Sequence, residues 1–147
     1  MADKKVIYVG SDHAGYELKE ELKKHLAGRE LKILDLGAFS VDVVDYPDIA
    51  REVCEKIIDY PGSFGLLICG TGTGMNIMAN KQGGIRSAVC TSEEMAQLAR
   101  QHNDANVLCL GARLISNELA KKILDAFLDT EFSGEERHKR RIDKMEG

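Results

Sequence analysis

Short apolar runs alternate along the chain with segments in which apolar residues return every three or four positions. The runs KVIYVG (5–10), LKILDLG (31–37), FGLLICG (64–70), IRSAVC (85–90) and NVLCLG (106–111) predict strands. Most are too continuous for strands wet on one face, which points to a parallel sheet covered on both sides. Helices fall between them. Leu18, Leu22 and Leu26 recur every four residues, as do Ile49, Val53 and Ile57 after Pro47, a residue suited to a first helical turn. Thr91 and Glu94 stand at capping-box spacing, with an apolar stripe of Met95, Leu98 and Ala99 behind them. Leu119, Ile123 and Phe127 mark another helix, and SGEERHKRRIDKM opens a last one with Ser133 and Glu136 at capping spacing. The alternation predicts an α/β fold, a doubly wound α/β/α sandwich of about five parallel strands with a C-terminal helical extension. No repeat, low-complexity stretch or linker interrupts it, so 1–147 reads as one domain with 133–147 as its terminal helix.

Composition narrows the class. At 147 residues, 44% hydrophobic and 30% charged, the chain can bury a real core without staples. No run approaches the ~18 apolar residues of a membrane span. MADKKVIYVG enters a strand-like run without a signal-peptide pattern, so a cytoplasmic location is expected and no membrane partner. Cys54, Cys69, Cys90 and Cys109 are widely spaced in apolar runs and form no C-x-x-C pair, which disfavours a disulfide framework and a zinc site. A net charge of -4 argues against a nucleic-acid binder.

In a doubly wound sheet, ligands bind at the carboxyl ends of the strands, and glycine-rich polar segments collect there. GSDHAG follows the first strand, CGTGTG the third and GAR the fifth. RQHND stands apart, at the end of the helix before the fifth strand. Helical spacing puts His102, seven residues after Met95 and three after Ala99, on the inward stripe. A core histidine that caps its helix is the other reading.

The loop CGTGTG fails the better-known phosphate patterns. A Walker A loop needs glycine and lysine where Met75 and Asn76 stand, and a dinucleotide fingerprint needs G-x-G-x-x-G after the first strand. A cysteine-phosphatase loop needs an arginine six residues after the cysteine, again the place of Met75. What survives is a nest of backbone donors at a helix N-terminus, suited to an anion or to an oxygen that becomes negative during reaction.

Taken together, GSDHAG, DYPDIA, ICGTGTG with IMANK, GIRSAV, RQHNDANVL, GAR and the terminal RHKRR resemble the type B ribose-5-phosphate isomerases, relatives of the galactose-6-phosphate isomerase subunits. The resemblance covers nearly the whole chain in order. It implies a Rossmann-like fold, a homodimer (or dimer of dimers) with sites shared between subunits, no metal or organic cofactor, and interconversion of ribose 5-phosphate with ribulose 5-phosphate. It makes Cys69 the base and His102 the acid that opens the sugar ring. Asp12, His13 and Asn103 become sugar contacts, and Gly70, Thr71, Gly72, Thr73 and Gly74 the oxyanion and substrate cradle. Arg113, Arg137 and Arg141 become phosphate ligands. One branch of the family lacks the cysteine and carries glutamate at the place of Met75, which sets this chain in the cysteine type. Asn76 stands where many relatives have serine.

The chemistry asks for the same residue types. Moving a hydrogen between neighbouring carbons of an aldose requires a base for a carbon-bound proton and donors for the enediolate that results. A thiolate can be that base, and aimed N–H groups at a helix N-terminus favour it. Cys54, Cys90 and Cys109 precede no glycine nest and read as small buried hydrophobes. Asp12 and His13 have a second reading, as caps of the helix near Tyr16. Arg137 and Arg141, four apart, share one helix face, which Ile142 and Met145 can pack down, although a charge run is usually a solvated face. Two other functions stay open: an isomerase of a hexose 6-phosphate such as allose or galactose 6-phosphate, and a noncatalytic sugar-phosphate sensor, which would have little need of the thiol.

Overall fold

The computed structural model describes residues 4–147, so the first three residues of the N-terminal stretch lie outside it. All five apolar runs form strands: β1 (Lys5–Ser11), β2 (Leu31–Asp35), β3 (Phe64–Cys69), β4 (Ser87–Val89) and β5 (Val107–Gly111). They build one parallel sheet in the order β2-β1-β3-β5-β4. The helices are α1 (Tyr16–Leu26), α2 (Tyr46–Asp59), α3 (Thr73–Asn80), α4 (Glu93–Asn103), α5 (Asn117–Asp129) and α6 (Glu136–Glu146).

The strand pleat divides the core between the two faces. Ile7, Val9, Leu66, Ile68, Leu108 and Leu110 point to the side covered by α1, α4 and α5, where Leu22, Leu26, Ile123 and Phe127 are fully buried. Tyr8, Leu67, Cys69, Val107 and Cys109 point to the side of α2 and α3 and meet Val53, Cys54, Ile57 and Met75. Each fully buried Val, Leu, Ile, Phe or Met side chain among them contributes about 1.5–3 kcal/mol on removal from water. From β1 the chain steps outward to β2 and returns to β3 on the other side of β1, so the turns after β1 and β3 diverge at a topological switch point.

Several local expectations shift by a residue or a face. Ser92, not Thr91, caps α4, its hydroxyl accepting from the Met95 N–H at 3.1 Å. Helix α6 starts at Glu136 without a side-chain cap, and the Ser133 hydroxyl accepts instead from the Glu135 N–H at 3.4 Å. Met95 and Leu98 are exposed, while α4 buries Ala96, Ala99 and Arg100. Arg100 wins that face because its guanidinium carbon sits 4.9 Å over the Phe64 ring and its donors reach the Thr130 and Ala105 carbonyls. On α6, Met145 is exposed and Ile142 only half-buried; His138 is the residue that α6 buries.

Candidate active site

The last residue of β3 is Cys69, its side chain directed to the α2–α3 face. Sγ accepts from the N–H of Gly72 at 3.2 Å. Gly72 reaches that position in the left-handed region at φ 82°, and a Cβ there would stand 2.9 Å from Val89 and 3.0 Å from the Leu110 carbonyl carbon. The N–H groups of Thr71, Gly74 and Met75 find no acceptor among the described residues, whereas that of Thr73 donates to the Thr71 hydroxyl at 3.2 Å. The expected nest is therefore formed: a thiol at the start of α3 beside donors left open. Tyr46, the first residue of α2, closes one wall, its ring so near Gly74 that a Cβ there would lie 2.6 Å away. Neither Tyr46 nor its wall was read from the sequence, although DYPDIA contains it.

The turns after β1 and β5 come to the same end of the sheet. The Asp12 N–H donates to the Ile68 carbonyl at 3.2 Å, and its carboxylate accepts from the Gly15 N–H at 3.0 Å. Asp12 thus stands beside the end of β3 and also supports the start of α1. His13 Nδ1 accepts from the Val44 N–H at 3.5 Å, which fixes the half-buried ring against the loop before α2. After β5, Ala112 and Arg113 donate their N–H groups to the carbonyls of Cys69 and Gly70, each at 2.9 Å. The Arg113 guanidinium then lies over Gly70, 3.1 Å from where a Cβ would sit.

His102, Asn103, Arg137 and Arg141 are not with them. In the sheet register Val107 pairs with Gly65 and Gly111 with Cys69, so α4, which ends before Val107, finishes at the opposite end of the strands. The four residue steps from Gly65 to Cys69 alone separate the two groups by ~13 Å. His102 there stacks on His138 of α6, ring centroids 4.4 Å apart. Burial pushes His138 down from its ordinary value, helped by His102 and Arg137 and opposed by Glu135. Arg137 and Arg141 are exposed on α6, Arg137 pairing with Glu135 at 3.1 Å. His138 was missed as a functional neighbour, yet His138, Ile142 and Met145 are spaced 4 and 3 apart, a helical stripe within RHKRR and beyond. A cavity of about 540 Å³ opens at this end, lined in part by Arg86, Ala99, Asn103 and Glu146.

The remaining thiols suit a packing role. Burial pushes Cys54 up to about 12 and Cys90 up to about 11, and Cys109, fully enclosed, is raised as well. The Asn76 side-chain oxygen is buried and has no hydrogen-bond partner among the described residues. Among the described residues no helix is long and apolar enough to cross a membrane, and no three His, Cys, Asp or Glu side chains are grouped to hold a metal ion.

The sequence from residue 7 to 145 matches the family model of the ribose/galactose isomerases. The chain belongs to that family. As a member of the ribose/galactose isomerase family it is an isomerase, and its relatives resemble it from end to end. It is 45% identical to ribose-5-phosphate isomerase B of Escherichia coli over 96% of this chain and 94% of that one. A ribose 5-phosphate isomerase from Thermotoga maritima has the same fold with a TM-score of 0.93, at 49% identity over 97% of both chains. Ribose-5-phosphate isomerase B of Mycoplasma genitalium, solved with ribulose 5-phosphate bound, superposes with a TM-score of 0.92 at 43% identity, covering 96% of this chain and 93% of that one. The Rossmann-like fold and family membership expected from the motifs are thereby borne out.

Proposed function

We propose that this isomerase interconverts ribose 5-phosphate and ribulose 5-phosphate, as a two-fold homodimer in which each site draws on both chains. The observation that carries the proposal is the Cys69 thiol at the switch point, accepting one N–H of a glycine loop whose Thr71, Gly74 and Met75 N–H groups have no acceptor among the described residues. In the open-chain aldose the thiolate takes the proton from C2. The electron pair of that C–H bond becomes the C1–C2 double bond, and the carbonyl oxygen O1 gains negative charge that the loop N–H groups hold. The O2 hydroxyl proton then passes to O1, the O2 electron pair forms the C2=O bond, and return of the proton from the thiol to C1 leaves the ketose. No step needs a metal or organic cofactor.

The other roles follow position. Asp12 and His13 adjoin Cys69 and contact the sugar, while Arg113 over Gly70 reaches the phosphate. His102 as ring-opening acid, Asn103 as sugar contact, and Arg137 and Arg141 as phosphate ligands come from the partner subunit, because one chain holds them a sheet's length from its own Cys69. Exposed apolar side chains support a covered face: Ile77 and Leu114 flank the cradle, and Val41 and Val43 lie in the loop that meets His13. A two-fold contact also closes on itself, as a shared pair of sites requires.

Turnover of ribose 5-phosphate, followed by NMR of the sugar, tests the reading, with allose 6-phosphate run in parallel. The expected result is a higher kcat/KM for the pentose phosphate. A higher value for the hexose phosphate would move the assignment to that substrate, and binding without turnover of either would make the chain a sensor.

A further inference from the structure

Glu146 is the last residue of α6, where an anion meets the negative end of the helix dipole and is disfavoured. Its carboxylate is nevertheless engaged on both oxygens. Oε1 accepts from Arg86, and Oε2 accepts from the Gly84 N–H at 3.2 Å. Arg86, its side chain 19% exposed, uses its remaining donors at the end of α4: Nε donates to the Asn103 carbonyl at 2.8 Å and Nη2 to the Asp104 carbonyl at 2.9 Å. The Asp104 carboxylate lies 3.6 Å from the same Nη2. The Arg86 backbone is itself held, its N–H donating to Asn106 Oδ1 and its carbonyl accepting from the Asn106 N–H, both at 2.9 Å. One planar fork therefore joins the C-terminus of α4 to the C-terminus of α6, a geometry that a lysine could not supply.

Helix α6 has few other attachments. His138 is its one buried residue, stacked on His102, and Ile142 is half-buried. His138 pins the first turn and Glu146 the last, with Arg137 beside the first pin and Arg141 between the two. We propose that Arg86 and Glu146 are positioning residues for substrate phosphate: the pair clamps α6 against α4 and so holds Arg137 and Arg141 in fixed relation to His102 and Asn103. The inference rests on the reading that Arg137 and Arg141 bind the phosphate. A short, mostly charged helix pinned at one end only would fray, and ordering it would then weaken each binding event.

The test compares Glu146→Ala, Glu146→Gln and Arg141→Ala by steady-state kinetics with ribose 5-phosphate, together with amide hydrogen exchange across α6. Glu146→Ala should raise KM about 3- to 10-fold with kcat within about twofold, the effect of losing an ordered binding geometry rather than a chemical group. Exchange should quicken in the last turns of α6, and Glu146→Gln, whose amide oxygen still accepts from Arg86, should recover part of the KM. The clamp is overturned if Glu146→Ala keeps the parent KM while Arg141→Ala raises it, or if Glu146→Ala lowers kcat and thermal stability without moving KM. If Arg141→Ala also leaves KM unchanged, the phosphate reading itself fails and takes the clamp with it.

Discussion

The imidazole of His102 lies against that of His138 with the planes 17° from parallel. Two rings stacked this closely repel if both are charged, and burial, His102, Arg137 and Arg141 all push His138 down while Glu135 opposes them. A group whose folded pKa is depressed adds stability above its unfolded value and loses it as pH falls through the folded value. Docking of α6 should therefore weaken as pH drops below 6.5, the ordinary histidine value. An NMR titration should give His138 a midpoint under 6.5, with α6 amide protection falling over the same range; a midpoint above that value would contradict the account.

Cys69→Ala should leave the fold and phosphate binding intact and lower kcat by roughly 10²- to 10⁴-fold, the usual worth of a positioned base. Thiol alkylation should inactivate the protein, with substrate protecting. Full activity in Cys69→Ala would place the base elsewhere. Cys54, Cys90 and Cys109 should react slowly, since all three are buried and raised.

Cys69 and His102 lie at opposite ends of one sheet, so inactive Cys69→Ala and His102→Ala chains should complement each other on subunit exchange. A mixed dimer would hold one doubly damaged site and one intact site. Activity up to about a quarter of the parent is expected at equal mixing, from half the dimers being mixed and each having one good site. No recovery, although mixed dimers form, would mean that both residues serve one site from one chain.

The Asp35 carboxylate tests stability apart from catalysis. It accepts from Lys19 at 2.7 and 2.9 Å, from Lys23 at 2.8 Å and from the Gly37 N–H at 2.9 Å, and Lys19 is fully buried. Burial alone pushes Asp35 up, but the hydrogen bonds from Lys19, Lys23 and Gly37 outweigh it and hold the group below its ordinary 3.8. Its contribution is then present above that pH and lost as pH falls through the lower folded value. Asp35→Asn, which strands the buried Lys19 charge, should cost about 3–5 kcal/mol in denaturant unfolding at pH 7. The gap between variant and parent should narrow in acid below pH 3.8, and a constant gap down to pH 2 would remove Asp35 as its source.

The order of strands and helices, the glycine turn and the thiol at its start were legible in the sequence, because each rests on local signals. Apolar periodicity sets the element, glycine opens the backbone, and strand ends collect the polar loops. The tertiary structure decided the rest. Arg100 took the buried face of α4 from Met95 and Leu98 because Phe64, 36 residues away, offered its ring and the Ala105 and Thr130 carbonyls needed donors. Helix α6 is too charged to announce its inward side, so burial of His138 depended on His102 standing opposite. The clamp from Arg86 to Glu146 joins residues 60 positions apart, beyond any local pattern. The separation of Cys69 from His102 followed from strand register, a relation between β3 and β5 that neither strand encodes alone.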